Sequence, residues 1–186
     1  METIRGVDGC VIVTGMPGAG KSTVSTLAAR LLPRAARVKG DDVNGMILSG
    51  RVPFNGEPAA EAARQGDLCN RNMCALANNF VDFGFTVFMD TVVDGRAELD
   101  ELVGLLAPRP VRLVILAPGP DVCRYRNATR EPSERFDFPG YEELDAGMRE
   151  GLAEVGWWFD TSALTPEETA ARLVAETGRY PLLTVG

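Results

Sequence analysis

Apolar positions along this chain come in two spacings that alternate from one end to the other. Short runs rich in β-branched and aromatic residues predict strands at about 10–14 (CVIVT), 36–40 (ARVKG), 85–89 (FTVFM), 111–116 (VRLVIL) and 157–160 (WWFD). Between them apolar residues recur at helical spacing, which predicts helices at 21–32, 42–49, 58–82, 96–106, 120–130, 141–155 and 166–177. Each strand-to-strand interval leaves room for a helical crossover. The pattern therefore predicts an α/β chain, a parallel sheet with helices on both faces. Glycine and proline clusters such as Val52-Pro53-Phe54-Asn55-Gly56 and Pro118-Gly119-Pro120 read as loops, and no repeat or low-complexity linker divides the 186 residues, so one domain over 1–186 is expected. Thr165-Pro166-Glu167-Glu168 reads as a helix start, with Thr165 as N-cap and an acid three positions later.

The first strand runs into Gly15-Met16-Pro17-Gly18-Ala19-Gly20-Lys21-Ser22-Thr23, and a helix follows at once. Gly15, Gly18 and Gly20 lack a Cβ, so the backbone can curl with φ > 0 and turn its N–H groups, those of Pro17's neighbours and Ala19 included, around an anion. The helix N-terminus points its free N–H groups and its dipole at the same place. In this spacing Lys21 is the group that reaches the β/γ-phosphates of a nucleotide, Ser22 offers its hydroxyl to Mg²⁺, and Thr23 meets the α-phosphate.

In open parallel sheets ligands bind beyond the carboxyl ends of the strands. Strand two ends in Gly40-Asp41-Asp42-Val43-Asn44 and strand three in Asp90-Thr91-Val92-Val93-Asp94. Asp90 reads either as the acid that holds Mg²⁺ beside Ser22 or as a buried acid bonded to loop N–H groups, and Asp94 reads as the cap of the next helix. Of Asp41 and Asp42, one reads as the base that takes the proton of a substrate hydroxyl, with Asp41 in the lead, and the other as a helix cap or metal aid. Both as helix N-terminal acids is the alternative. Adjacent residues point different ways, so the two are not expected to share one task.

Charge and composition narrow the classes. With 19 Lys+Arg against 26 Asp+Glu the net charge is −7, which leaves no broad basic face for a nucleic acid. No apolar run is long enough for a bilayer, and Met1 to Gly9 lacks the basic-then-apolar plan of a signal peptide, so a cytoplasmic protein with no membrane partner is expected. The four cysteines, Cys10, Cys69, Cys74 and Cys123, have unrelated spacings and are expected to be reduced core fillers. There is no histidine, so a carboxylate must do any general-base work.

The plan GMPGAGKST, then GDDVNGMI after strand two, then a strand ending in Asp90, resembles the small P-loop kinases of the nucleoside-monophosphate-kinase-like group. Among these it is most similar to small-molecule phosphotransferases such as chloramphenicol phosphotransferase, gluconate kinase, adenylylsulfate kinase, the zeta toxins and the tunicamycin-resistance ATP-binding proteins. The resemblance implies a three-layer P-loop NTPase fold whose five-stranded parallel sheet runs in the order 2-3-1-4-5, flanked by helices and carrying a small lid near 126–140. It implies ATP and Mg²⁺ as cofactors and a catalytic aspartate that falls on Asp41 or Asp42. It also implies that Arg126 stacks on adenine and that lid arginines, Arg126 and Arg130, neutralise the transferred phosphoryl group. One helical turn apart on the helix expected at 120–130, the two can face one phosphate chain, and a solvated basic face is the alternative. Thr161 and Ser162, after strand five, fall where the family borders the base.

The acceptor side must come from the segment between strands two and three. Its candidates are Asn44, Arg51, Phe54 and the loop around them, together with Gln65, Asn70 and Asn72 of the long helix. Arg51 is the one basic residue between Asp41 and Glu61, which favours a neutral hydroxyl compound, an antibiotic or a sugar-like metabolite, over a doubly charged nucleotide. Two classes stay open. One is a kinase of a small hydroxyl-bearing molecule, with a zeta-toxin-like nucleotide-sugar kinase as a variant; the other is a regulatory ATPase in which Asp41 and Asp42 only cap. Neither the acceptor nor the oligomeric state is written in these residues.

Overall fold

A computed structural model describes residues 7–131, 135 and 138–184. The strands are β1 (Cys10–Thr14), β2 (Ala35–Lys39), β3 (Thr86–Asp90), β4 (Val111–Leu116) and β5 (Trp157–Phe159). All pair in parallel in the order β2-β3-β1-β4-β5. Every residue of β1 and β3 is buried, because a central strand covered on both faces has no solvent side to alternate with. Edge strand β2 is different: it exposes Arg37 and half-exposes Lys39.

The helices are α1 (Lys21–Leu31), α2 (Gly40–Asn44), α3 (Ala59–Asp82), α4 (Arg96–Leu106), α5 (Pro120–Ala128), α6 (Tyr141–Leu152) and α7 (Pro166–Glu176). α1 packs with α7 and α3 with α4, while β3 is touched by both α1 and α3, so the sheet is the middle of three layers. This follows from right-handed crossovers: β1 to β2 travels one way along the sheet and β2 to β3 the other, which puts their helices on opposite faces. The order reverses at β1. Beyond its end the chain leaves toward both sides, and there the crevice opens.

Four local expectations shift. The helix expected at 42–49 is the short α2, which unwinds through turns at Met46 and Ile47 because Met46 and Leu48, 68% and 94% exposed, have no core to bury an apolar face against. α5 ends at Ala128, where the Thr129 hydroxyl bonds the Tyr125 and Arg126 carbonyls, so Arg130 lies outside the helix. Asp94 does not cap α4. Gly95 is the N-cap and the Asp94 N–H instead donates to Glu98. α6 ends at Leu152 rather than at 155. At α7 the reading holds in full: Thr165 and Glu168 bond each other's backbone N–H as a capping box. The four cysteines are free thiols, three buried and Cys69 half-buried. The lid expected at 126–140 falls partly outside the described residues, at 132–134 and 136–137.

Candidate active site

The loop from Gly15 to Gly20 is held where only glycine fits. Gly15 and Gly18 have φ of +143° and +86°, and a Cβ on either would stand 2.5 Å from a backbone oxygen, that of Leu116 or of Cys123. The loop is thus wedged between the end of β4 and helix α5, its turn closed by Ala19 N–H on the Met16 carbonyl at 3.0 Å, with Pro17 half-buried at its crown. Gly20, at φ +98°, is the N-cap of α1 and turns the chain so that Lys21, Ser22 and Thr23 form its first turn. That first turn carries no acid, which leaves the helix's positive end for a ligand's charge.

The Lys21 ammonium lies under the loop, donating to the Gly15 and Met16 carbonyls at 2.7 and 3.1 Å. Burial lowers its pKa to about 8, against the opposing pull of Asp90, Cys123 and Asp41 and with a further push from Arg130. Asp90, the last residue of β3, is 3% exposed and lies beside Val13 on one strand and Lys39 on the other. Burial raises its pKa, while the Ser22 hydroxyl and the charges of Lys21, Arg37 and Lys39 pull it down. One of its oxygens, Oδ2, has no hydrogen-bond partner.

An orphaned carboxylate oxygen beside a serine hydroxyl, at the mouth of an anion cradle, is a donor set that fits Mg²⁺. Among the described residues no three of His, Cys, Asp and Glu gather into a metal cluster. That accords with Mg²⁺, which takes one or two protein ligands and fills its octahedron with phosphate and water.

Asp41 and Asp42 take different partners. Asp41 pairs with Lys39 at 3.2 Å and Asp42 with Arg37 at 3.3 Å, both acids exposed. Arg37 also donates to the Ser22 carbonyl and to Thr26, so Asp42 is drawn toward α1. The charge of Asp41, by contrast, is felt at Lys21 and at Cys69 of α3, whose thiol lies 3.5 Å from the Gly40 carbonyl. Arg37 and Lys39 were not singled out in the sequence. Their signal was the alternation in β2, which puts both on one side of the strand directly before the two acids. Asn44 is half-buried, Arg51 is exposed, and Phe54 is 73% exposed against Gly66 of α3.

On the other side of the loop a cleft of about 230 Å³ is lined by Gly18 to Gly20, Thr23, Arg126, Arg130, Thr161 and Leu164. Arg126 spans it, donating to the Ala19 carbonyl at 3.2 Å and to the Thr161 carbonyl at 3.4 Å. Arg126 and Arg130 therefore meet in one cleft although they do not share a helix. Thr161 is buried with its hydroxyl unpartnered. Ser162 is exposed, its N–H held by Asp160 Oδ1 at 2.9 Å, and it does not line the cleft. A larger cavity of about 310 Å³, between Asp8, Arg112 and Leu182, lies at the opposite end of the strands, away from all of this chemistry.

The phosphate loop, the acid ending β3 and the sheet order together define a P-loop NTPase domain of the kinase-like kind. The chain belongs to the AAA domain family, whose model matches residues 10–150. No curated protein matches it. Among solved structures it is similar to the tunicamycin resistance protein of Deinococcus radiodurans, at TM-score 0.68 and 15% identity over 96% of this chain and 99% of that one. A gluconokinase from Sinorhizobium meliloti 1021 matches at TM-score 0.62 and 19% identity, over 94% of each chain. Shikimate kinase from Acinetobacter baumannii, in complex with shikimate, matches at 0.59 and 19%, over 90% and 92%. At such identities the likeness is one of fold. Among the described residues no helix is long and apolar enough to cross a membrane.

Proposed function

We propose that this protein is an ATP-dependent phosphotransferase that moves the γ-phosphate of ATP to a hydroxyl of a small molecule, an antibiotic or a sugar-like metabolite. The observation that carries the reading is Asp41. It is an exposed carboxylate directly after Gly40, where a Cβ would stand 3.7 Å from the Asp90 carbonyl, and it follows β2, on the opposite side of β1 in the sheet from the Arg126 cleft. A capping acid needs no such position; a base that takes a proton while a phosphoryl group arrives does.

In this reading the loop N–H groups and Lys21 bind the β- and γ-phosphates, and Arg126 and Arg130 border the nucleotide from the cleft side. Mg²⁺, held by Ser22 and Asp90, would supply charge neutralisation on the phosphates. Asp41, paired with Lys39 at 3.2 Å, orients the acceptor hydroxyl and accepts its proton. Lys21 and the arginines hold the charge that gathers on the transferring group. Thr161 offers its carbonyl and hydroxyl to the base, while Asn44, Arg51 and Phe54 border the acceptor.

The test is ADP release from ATP and Mg²⁺ against a panel of hydroxyl compounds that includes gluconate, shikimate, chloramphenicol and tunicamycin. Release that depends on one acceptor supports the kinase, while slow release indifferent to all of them supports the regulatory ATPase. Arg126→Ala is expected to lower kcat more than it weakens binding of a non-hydrolysable ATP analogue, which should change less than about tenfold, because charge is met most strongly in the transition state. Equal kcat and equal affinity in steady-state and titration measurements would place Arg126 among surface cations.

A further inference from the structure

We infer that Gln65 is the positioning residue of the acceptor site, a role that rests on the kinase reading above. Its side chain is 8% exposed, and its amide is spent on one stretch of chain. Oε1 accepts the Val52 N–H at 2.8 Å, and Nε2 donates to the Gly50 carbonyl at 2.9 Å. Nε2 also donates to Glu61 Oε1 at 3.0 Å, which fixes which end of the amide carries the donor. Both amide protons of Gln65 are therefore in use, and its oxygen is turned to the Val52 N–H. What it does is hold the backbone on both sides of Arg51.

The location gives that hold its purpose. Gln65, Cys69 and Met73 follow one another at intervals of four along α3, so they lie on one face. Cys69 touches the Gly40 carbonyl, and Met73 Sδ would be 3.3 Å from a Cβ on Gly40. The same face therefore meets the start of α2, next to Asp41, at two successive turns, and meets the 50–52 turn one helical turn earlier. That turn is thus about 6–12 Å along α3 from the level at which Gly40 is met. A small hydroxyl compound can lie within that span, with the base at one side and the pinned turn carrying Arg51 at the other.

The peptide between Asn44 and Pro58 has no regular structure after its first turns, and Met46, Leu48 and Phe54 on it are largely exposed. Its placement cannot come from burial of those side chains. A buried amide with two backbone bonds supplies that constraint.

Two readouts on the full chain test this. The first is the rate of trypsin cleavage after Arg51. The second is steady-state phosphorylation of whichever panel compound the wild-type chain turns over. Gln65→Leu removes every bond and is expected to speed that cleavage at least tenfold, and to raise the acceptor KM about tenfold or more with kcat and ATP KM within threefold. Gln65→Glu keeps the acceptor for Val52 but loses the donor to Gly50 and faces Glu61, so it should fall between. If Gln65→Leu folds poorly, Glu61→Ala, which releases the orientation of the amide and an exposed pair with Arg64 but leaves both backbone bonds, must still raise both cleavage and acceptor KM by a few fold. Unchanged cleavage, or faster cleavage with an unchanged acceptor KM, overturns the inference while the kinase stands. A wild-type chain that phosphorylates no panel compound overturns the kinase reading, and this inference falls with it.

Discussion

Asp41→Asn is expected to lower acceptor phosphorylation about a hundred- to ten-thousand-fold, the range that general-base assistance supplies. The substitution keeps shape and removes charge. It breaks the ion pair with Lys39, but Asp41 is exposed, and an exposed pair contributes about 0.2–1 kcal/mol, too little to endanger the fold. Affinity for an ATP analogue should hold or tighten slightly, because the charge removed is one that Lys21's phosphate ligands would feel as repulsion. Asp42→Asn is the control. Its carboxylate is turned to Arg37 and α1, so its loss should change turnover by no more than a few fold. Measuring initial rates and analogue affinity for both variants separates the roles. A wild-type rate in Asp41→Asn, or a greater loss in Asp42→Asn, would move the base elsewhere.

That assignment shows where the sequence was informative. The glycines at 15, 18 and 20 signalled a cradle because their chemistry is local: a positive φ and a missing Cβ are properties of the residue itself. The central strands were legible for a related reason, since burial on both faces writes an unbroken apolar run into β1 and β3. The doublet Asp41-Asp42 left the base ambiguous by one position, and what distinguishes the two acids in the fold, Arg37 beside Asp42 and Lys39 beside Asp41, comes from β2 and not from the doublet itself. Likewise Gln65 was a candidate to touch substrate, and only the return of the chain at Gly50 and Val52 reveals what its amide holds. Arg130 was placed on a helix by the helical spacing read over 120–130. Thr129 ends that helix by bonding back to two carbonyls, a competition that a periodicity count does not weigh.

Lys21→Met should remove most ATP turnover, by about 10²- to 10³-fold, as expected when one preorganised donor to the transferring phosphate is lost. Lys21 does not extend into open solvent; it is tucked against the Gly15 and Met16 carbonyls, and methionine is chosen because its unbranched chain fills most of the same space. Leaving those carbonyls without the ammonium is expected to cost about 1–3 kcal/mol, which a thermal melt will read. The pH dependence then isolates the charge. Burial sets the pKa near 8, so the ammonium is nearly complete at pH 7 and is lost as pH rises through that value. An anion that needs the protonated form sees its dissociation constant divided by the protonated fraction, so the wild-type affinity for an ATP analogue should fall about tenfold by pH 9. Lys21→Met has no proton to lose there and should show a flat profile from pH 7 to 9. Parallel profiles in the two proteins, or unchanged turnover in a folded Lys21→Met, would show that this loop does not hold the nucleotide's phosphates.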